Sequence, residues 1–118
     1  MDRPIDIADL KANTVYGGWD GEEANSTIQM FWRVVNSFDK DQRSALVRFV
    51  TSCARPPLLG FSELNPRFAI RNAGSDQTRL PTASTCVCLL KLPEYADERT
   101  LREKLLYAIN SDSGFDLS

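Results

Sequence analysis

The sequence contains no histidine among its 118 residues. That absence excludes Ser-His-Asp triads, Cys-His dyads, histidine general bases and histidine metal ligands. An excess of positive charge is missing too, because 14 lysines and arginines stand against 16 aspartates and glutamates, a formal net charge of −2. Such a chain offers no electrostatic footprint for the phosphates of nucleic acid or for anionic lipid. We therefore expect neither nucleic acid nor a membrane among its partners.

Several other features that would define a function class are absent. Arg33, Arg48 and Lys91 interrupt the longest apolar stretches, which never approach the ~20 residues of a membrane span. The sequence has neither a dinucleotide fingerprint nor a glycine-rich loop followed by Lys and Ser or Thr, so nucleotide binding has no support. Three cysteines without histidine could hold zinc only by recruiting a carboxylate, and we expect no metal and no cofactor. The odd number of cysteines and the lack of a basic-then-apolar leader favour a reducing setting, in the cytoplasm, the nucleus or both.

The length and composition that remain describe one ordinary folded unit. A chain of 118 residues is one domain by the usual length prior, and it buries roughly 65% of its unfolded surface on folding. Its 42% hydrophobic and 25% charged residues lie in the globular range. The sequence therefore predicts a single packed domain.

Three stretches have the apolar spacing of amphipathic helices, and each begins at a residue suited to capping. Asn25 precedes the first helix, which extends to about Phe38. Asp39 and Gln42 resemble a capping box at the start of the second, and Asp97 is a credible N-cap for the third. Together with at least two short strands, these helices predict an α/β fold with a small sheet covered by helices.

The strand and loop patterns are weaker. Three glycines within residues 17–21 predict a hinge or linker, and small residues at 80–85 predict a loop. Phe68 and Ile70 could share one face of a short strand. Residues 86–90 are continuously apolar, which predicts a strand covered on both faces, with both of its cysteines on one face.

Cysteine is the remaining candidate nucleophile. Cys86 lies where a polar loop of small residues meets the apolar run, so a partner's chain could approach it. Cys53 and Cys88 lie within apolar patterns and are expected to pack in the interior. A thiol redox role is weakly supported, because a Cys-X-Cys pair on one strand face has poor disulfide geometry. The residues alone leave catalysis, binding and redox chemistry open.

A family resemblance narrows these alternatives. Residues 80–86 (LPTASTC) and 89–95 (LLKLPEY) resemble the active-site segment of HECT-type ubiquitin ligases. Residues 49–61 resemble a second family signature, and residues 101–109 and 114–115 resemble the last helix and the tail. The likeness runs from about residue 5 to residue 118 in family order and spacing, and it covers the carboxy-terminal lobe of a HECT domain. Residues 51–59 and 81–84 are most similar to the proteasome-associated subgroup.

The resemblance implies the fold of that lobe and a two-step transfer. Cys86 would accept ubiquitin from a conjugating enzyme (E2) as a thioester and pass it to a lysine of a substrate or of ubiquitin. Residues 1–18 would be the end of the inter-lobe segment and the hinge, and residues 19–118 the lobe itself. The amino-terminal lobe, which recruits the E2, is not in this chain, so the chain would be an incomplete ligase. The implied partners are ubiquitin, the E2, protein substrates and the proteasome, and the alternative is a non-catalytic module that binds ubiquitin or another partner.

The resemblance also assigns supporting residues. Phe115 matches the tail aromatic that docks during ligation, and Ser84 and Thr85 are expected to contribute to docking of ubiquitin or of the other lobe. Many family members place a histidine two positions before the cysteine, whereas this chain has Ser84 there. The thiolate of Cys86 must then be tuned otherwise, by Arg79 or by loop amides.

Overall fold

The structure is a computed structural model that describes residues 5–52 and 60–111. Within those ranges the helices and strands alternate irregularly around one core. The helices are α1 (Ile7–Ala12), α2 (Ser26–Asn36), α3 (Lys40–Thr51) and α4 (Glu98–Asn110), and the strands are β1 (Val15–Gly17), β2 (Ala69–Asn72), β3 (Thr82–Ser84) and β4 (Leu89–Leu92). In the described part of the chain, no helix is both long enough and apolar enough to cross a membrane.

The three predicted helices are confirmed, together with their N-caps. The side chain of Asn25 accepts hydrogen bonds from two amides of the first turn of α2. At α3, Asp39 and Gln42 form a reciprocal capping box, and at α4 the carboxylate of Asp97 accepts from the Thr100 amide at 2.7 Å. These side chains satisfy amides that an α-helix leaves without intrahelical partners, which explains why the helices begin where they do.

The sheet is mixed, with strand order β1-β2-β4-β3. β1, β2 and β4 are parallel, and β3 is antiparallel to β4 at one edge. Because β3 and β4 follow one another along the chain, they form a hairpin whose connection lies at the amino ends of the parallel strands. The predicted α/β fold, a small sheet covered by helices in a single domain, is confirmed.

The two faces of the sheet have different environments. Ile70, Leu90 and Leu92 are fully buried against the helices. Their sequence neighbours Leu89 and Lys91 are only half-buried on the opposite face. The prediction of a strand covered on both faces is therefore wrong, since β4 has the alternation typical of a strand with one face in the core.

The glycine cluster forms defined local structure. Val15–Gly17 is the edge strand β1, so the first residue of the predicted hinge or linker at 17–21 belongs to the sheet. Gly18 and Gly21 follow with φ of 77° and 78°, a region that glycine enters without a Cβ penalty. The indole of Trp19 is buried and donates to the carbonyl of Ile70 at 3.1 Å. The division of the chain at residue 18 stays a prediction.

The small-residue segment before Cys86 is also more ordered than predicted. Thr82–Ser84 is strand β3, in register with Lys91 to Leu89 of β4, where a loop was expected. All three residues of β3 are half-buried, so the strand has no polar–apolar alternation that sequence analysis could detect.

Candidate functional site

Cys86 lies at the tip of the β3–β4 hairpin. The connection is a single 3₁₀ turn, Thr85–Val87, followed by Cys88 in the left-handed region at φ 52° and ψ 44°. The Cys88 amide donates to the Thr85 carbonyl at 3.3 Å and closes the turn. Residues 86–88 are therefore not part of a strand, and the two cysteines do not share a strand face as the sequence predicted.

The turn gives the two thiols opposite environments. Cys86 is exposed and carries a free thiol, and Val87 beside it is 45% exposed. Cys88 is only 6% exposed, which confirms the prediction that it packs in the interior. Of the two cysteines that the structure describes, Cys86 is the one that a large partner can reach. Cys53, the third cysteine, lies outside the described residues.

The residues before Cys86 are held by the sheet and by α3. Ser84 is the last residue of β3 and pairs with Leu89, and both Ser84 and Thr85 are half-buried. α3 lies against the 3₁₀ turn, β3 and β4. The backbone on both sides of the turn is therefore fixed. The docking roles of Ser84 and Thr85 stay predictions, and Phe115 lies outside the described residues.

The segment that leads into β3 is held to the exit of β4 by side-chain hydrogen bonds. The Tyr95 hydroxyl donates to the carbonyl of Arg79. Gln77 donates to the Glu94 carbonyl at 3.0 Å and accepts from the Ala96 amide at 2.7 Å. Sequence analysis did not single out Tyr95 or Gln77, because no local pattern shows which distant backbone a side chain will reach.

Burial raises the pKa of Tyr95 well above its ordinary value of 10.0. A phenol is a protonated donor at neutral pH, as the bond to Arg79 requires, and the raised pKa of Tyr95 extends that state into the alkaline range. On the same segment, Asp76 accepts from the hydroxyl and the amide of Thr78, and these bonds lower the pKa of its carboxyl. Arg79 itself is exposed, and its predicted effect on the Cys86 thiolate stays a prediction.

The hairpin exposes one thiol, that of Cys86. Residues 5–52 and 60–111 contain no group of three or more histidine, cysteine, aspartate or glutamate residues that could hold a metal ion. The side chains next to Cys86 are hydroxyls and a valine, which can contact a peptide chain without competing for the electrophile. This arrangement suits covalent attachment of a group at the Cys86 sulfur.

Comparison with known proteins identifies the class. The family model "HECT-domain (ubiquitin-transferase)" matches residues 2–118, which is nearly the whole chain. The chain belongs to the HECT-domain family. The resemblance recognised in the sequence is confirmed.

The individual relatives agree with this assignment. The chain is 56% identical over 114 residues to E3 ubiquitin-protein ligase HUL5 of Saccharomyces cerevisiae, which covers 97% of the chain. A probable E3 ubiquitin-protein ligase of Schizosaccharomyces pombe is 57% identical over 98% of the chain, and human ubiquitin-protein ligase E3B is 44% identical over 97%. The matched region is only 12%, 11% and 13% of the length of these three relatives, respectively.

Proposed function

We propose that this chain is the catalytic carboxy-terminal lobe of a HECT ubiquitin ligase, with Cys86 as the nucleophile. In the first step, the Cys86 thiolate attacks the thioester carbonyl that joins the ubiquitin carboxy terminus to an E2 cysteine, and the E2 thiolate leaves. In the second step, a lysine amine attacks the new thioester, an isopeptide bond forms, and the Cys86 thiolate is released while the amine loses its proton to solvent. The observation that carries the proposal is the exposed Cys86 thiol at the tip of a fixed hairpin.

The absence of histidine is compatible with this reaction. Exchange of a thiol for a thioester is close to isoenergetic, so the step depends on bringing the sulfur and the carbonyl together more than on a strong general base. A short turn anchored by two strands limits the positions that the Cys86 sulfur can occupy. Arg79 and the amides of the loop are the candidates for stabilising the thiolate.

The remaining parts of the proposal follow from the family and from the length of the relatives. The partners are ubiquitin, an E2 recruited by an amino-terminal lobe outside these 118 residues, and protein substrates. Similarity to the proteasome-associated subgroup adds the proteasome as a partner, with action in the cytoplasm, the nucleus or both. Phe115, Thr85 and Ser84 dock ubiquitin or the other lobe, and residues 1–18 connect the lobes.

The test uses ubiquitin that carries a thiol-reactive electrophile in place of its terminal carboxylate. Mixed with the 118-residue chain, this probe should form a covalent adduct at Cys86, which is identified by mass spectrometry of the peptides. Cys86→Ala should abolish the adduct. Cys88→Ser is the matched control, because it removes the neighbouring thiol and leaves the exposed one in place.

Two outcomes contradict the proposal. If the adduct persists in Cys86→Ala, another thiol is the nucleophile. If ubiquitin binds the chain without forming any adduct, the chain is a non-catalytic ubiquitin-binding module instead.

A further inference from the structure

The hairpin that presents Cys86 depends on an unusual backbone conformation two residues later. Ser84, the last residue of β3, pairs with Leu89, the first residue of β4. The four residues between them therefore reverse the direction of the chain. The first three form a right-handed 3₁₀ turn, and Cys88 completes the reversal in the left-handed region. A right-handed turn followed by one left-handed residue is a common way to close a short hairpin loop, and glycine or asparagine usually occupies the left-handed position.

Cys88 differs from the other non-glycine residues of the described chain that have positive φ. Those residues are Glu22 and Ser52, and both are exposed. Cys88 is buried, so neighbouring atoms confine its side chain as well as its backbone. A left-handed residue other than glycine persists only where its surroundings hold it there, and such residues concentrate at functional sites.

Hydrogen bonds of the Cys88 backbone join the turn to strand β2. Its amide donates to the Thr85 carbonyl at 3.3 Å, and its carbonyl accepts from the Ala69 amide of β2 at 2.9 Å. The φ and ψ of this residue therefore set the angle between the turn that carries Cys86 and the plane of the sheet. A change in these two angles, compensated within residues 85–87, would reorient the Cys86 side chain.

We infer that Cys88 is a positioning residue for acyl transfer, and that it acts through its left-handed backbone rather than through its thiol. The inference rests on the proposed function of Cys86. At position 88, a residue that tolerates the left-handed region supports productive docking of the ubiquitin carboxy terminus at Cys86. A residue that disfavours this region leaves the Cys86 thiol exposed and reactive but wrongly oriented.

The experiment compares two electrophiles on one set of variants. Iodoacetamide is small and approaches from any direction, so its rate reports exposure and reactivity of the Cys86 thiol. The ubiquitin electrophile must first dock on the chain, so its rate of adduct formation also reports the orientation of the Cys86 side chain. Cys88→Gly and Cys88→Asn tolerate the left-handed region, whereas Cys88→Val is β-branched and disfavours it.

We expect Cys88→Val to lower the rate of the ubiquitin adduct at least 10-fold while iodoacetamide alkylation of Cys86 changes less than threefold. Cys88→Gly and Cys88→Asn should stay within threefold of the original chain with both probes. A thermal melt of each variant establishes that it is folded at the assay temperature. If Cys88→Val does not fold, the pair Cys88→Ser and Cys88→Thr replaces it, because the two differ only by the β-methyl group.

The results separate the two proposals. If the original chain reacts with iodoacetamide but not with the ubiquitin electrophile, the proposed function of Cys86 fails. If the original chain forms the ubiquitin adduct and the β-branched variants form it equally fast, the role of Cys88 is refuted. If a folded Cys88→Gly variant forms the ubiquitin adduct 10-fold more slowly, the role of the Cys88 backbone is also refuted, since the side chain would then be required.

Discussion

Replacing Tyr95 with phenylalanine removes one hydroxyl from the link between the exit of β4 and the segment that enters β3. Tyr95 is 1% exposed, and the new ring fills the same space, so the change acts mainly on the hydrogen bond to the Arg79 carbonyl. The bond is only part-buried, so the loss should stay below that of a fully buried carbonyl left without a partner. The expected loss is therefore that of an ordinary neutral hydrogen bond, about 1 kcal/mol.

A loss of that size is measurable in a domain of 118 residues. It should lower the midpoint of thermal unfolding by roughly 3–6 °C and shift the urea midpoint without changing the slope. Tyr107→Phe is the matched control, because Tyr107 is 60% exposed. The same chemical change there should alter the free energy of unfolding by less than about 0.5 kcal/mol.

The same residue predicts a dependence on alkaline pH. Burial raises the pKa of Tyr95 in the folded state, so above its ordinary value of 10.0 the unfolded chain loses this proton while the folded chain keeps it. The stability that this group contributes is complete below that pH and is lost above it, at up to about 1.4 kcal/mol per pH unit. Urea titrations above pH 10 should show a steeper loss in the original chain than in Tyr95→Phe.

Two results would refute this account of Tyr95. Equal stability of Tyr95→Phe and the original chain at neutral pH would mean that the hydroxyl contributes nothing to the link. Parallel alkaline curves for the two proteins would mean that the phenol ionises as easily in the folded state as in the unfolded one.

Two further predictions concern α3 and the tail. Asp39→Ala removes the capping box of α3 and should lower the free energy of unfolding in urea by about 1 kcal/mol. Asp41→Ala in the same turn should lower it clearly less, and equal losses would show that the cap contributes only its charge. Phe115→Ala should leave the free energy of unfolding within about 0.5 kcal/mol and the Cys86 thioester intact, but it should slow discharge of that thioester to lysine when the lobe is part of a complete ligase. A pulse-chase assay measures both steps, and normal discharge would contradict the assigned role.

Local chemistry explains which parts of the fold the sequence could predict. Asn25, Asp39 and Asp97 cap helices through bonds within three residues, so their effect is visible in the order of the chain. Cys86 could be chosen over Cys88 because it follows a polar segment. The structure confirms the expected difference in exposure, with Cys86 exposed and Cys88 buried, and the catalytic role of Cys86 stays a prediction.

The missed features depend on partners that are distant in sequence. β1 has three residues, and only its pairing with β2, more than fifty positions later, makes it a strand. The sequence predicts residues 86–88 of this turn as strand because cysteine and valine favour a buried strand, and nothing in Cys88 itself indicates a left-handed backbone. The conformation there is imposed by the hairpin and by the bond to Ala69, which overrides local preference.

The buried indole of Trp19 described above, together with that of Trp32, gives the protein two intrinsic fluorescent probes. The chain has two tryptophans, and both are buried. Trp19 donates to Ile70, and Trp32 donates to the hydroxyl of Tyr16 on β1 at 3.1 Å. Cys86 lies in the hairpin between β3 and β4, at the other end of the strand order. Intrinsic fluorescence will therefore report directly on the packing of these two indoles against β1 and β2.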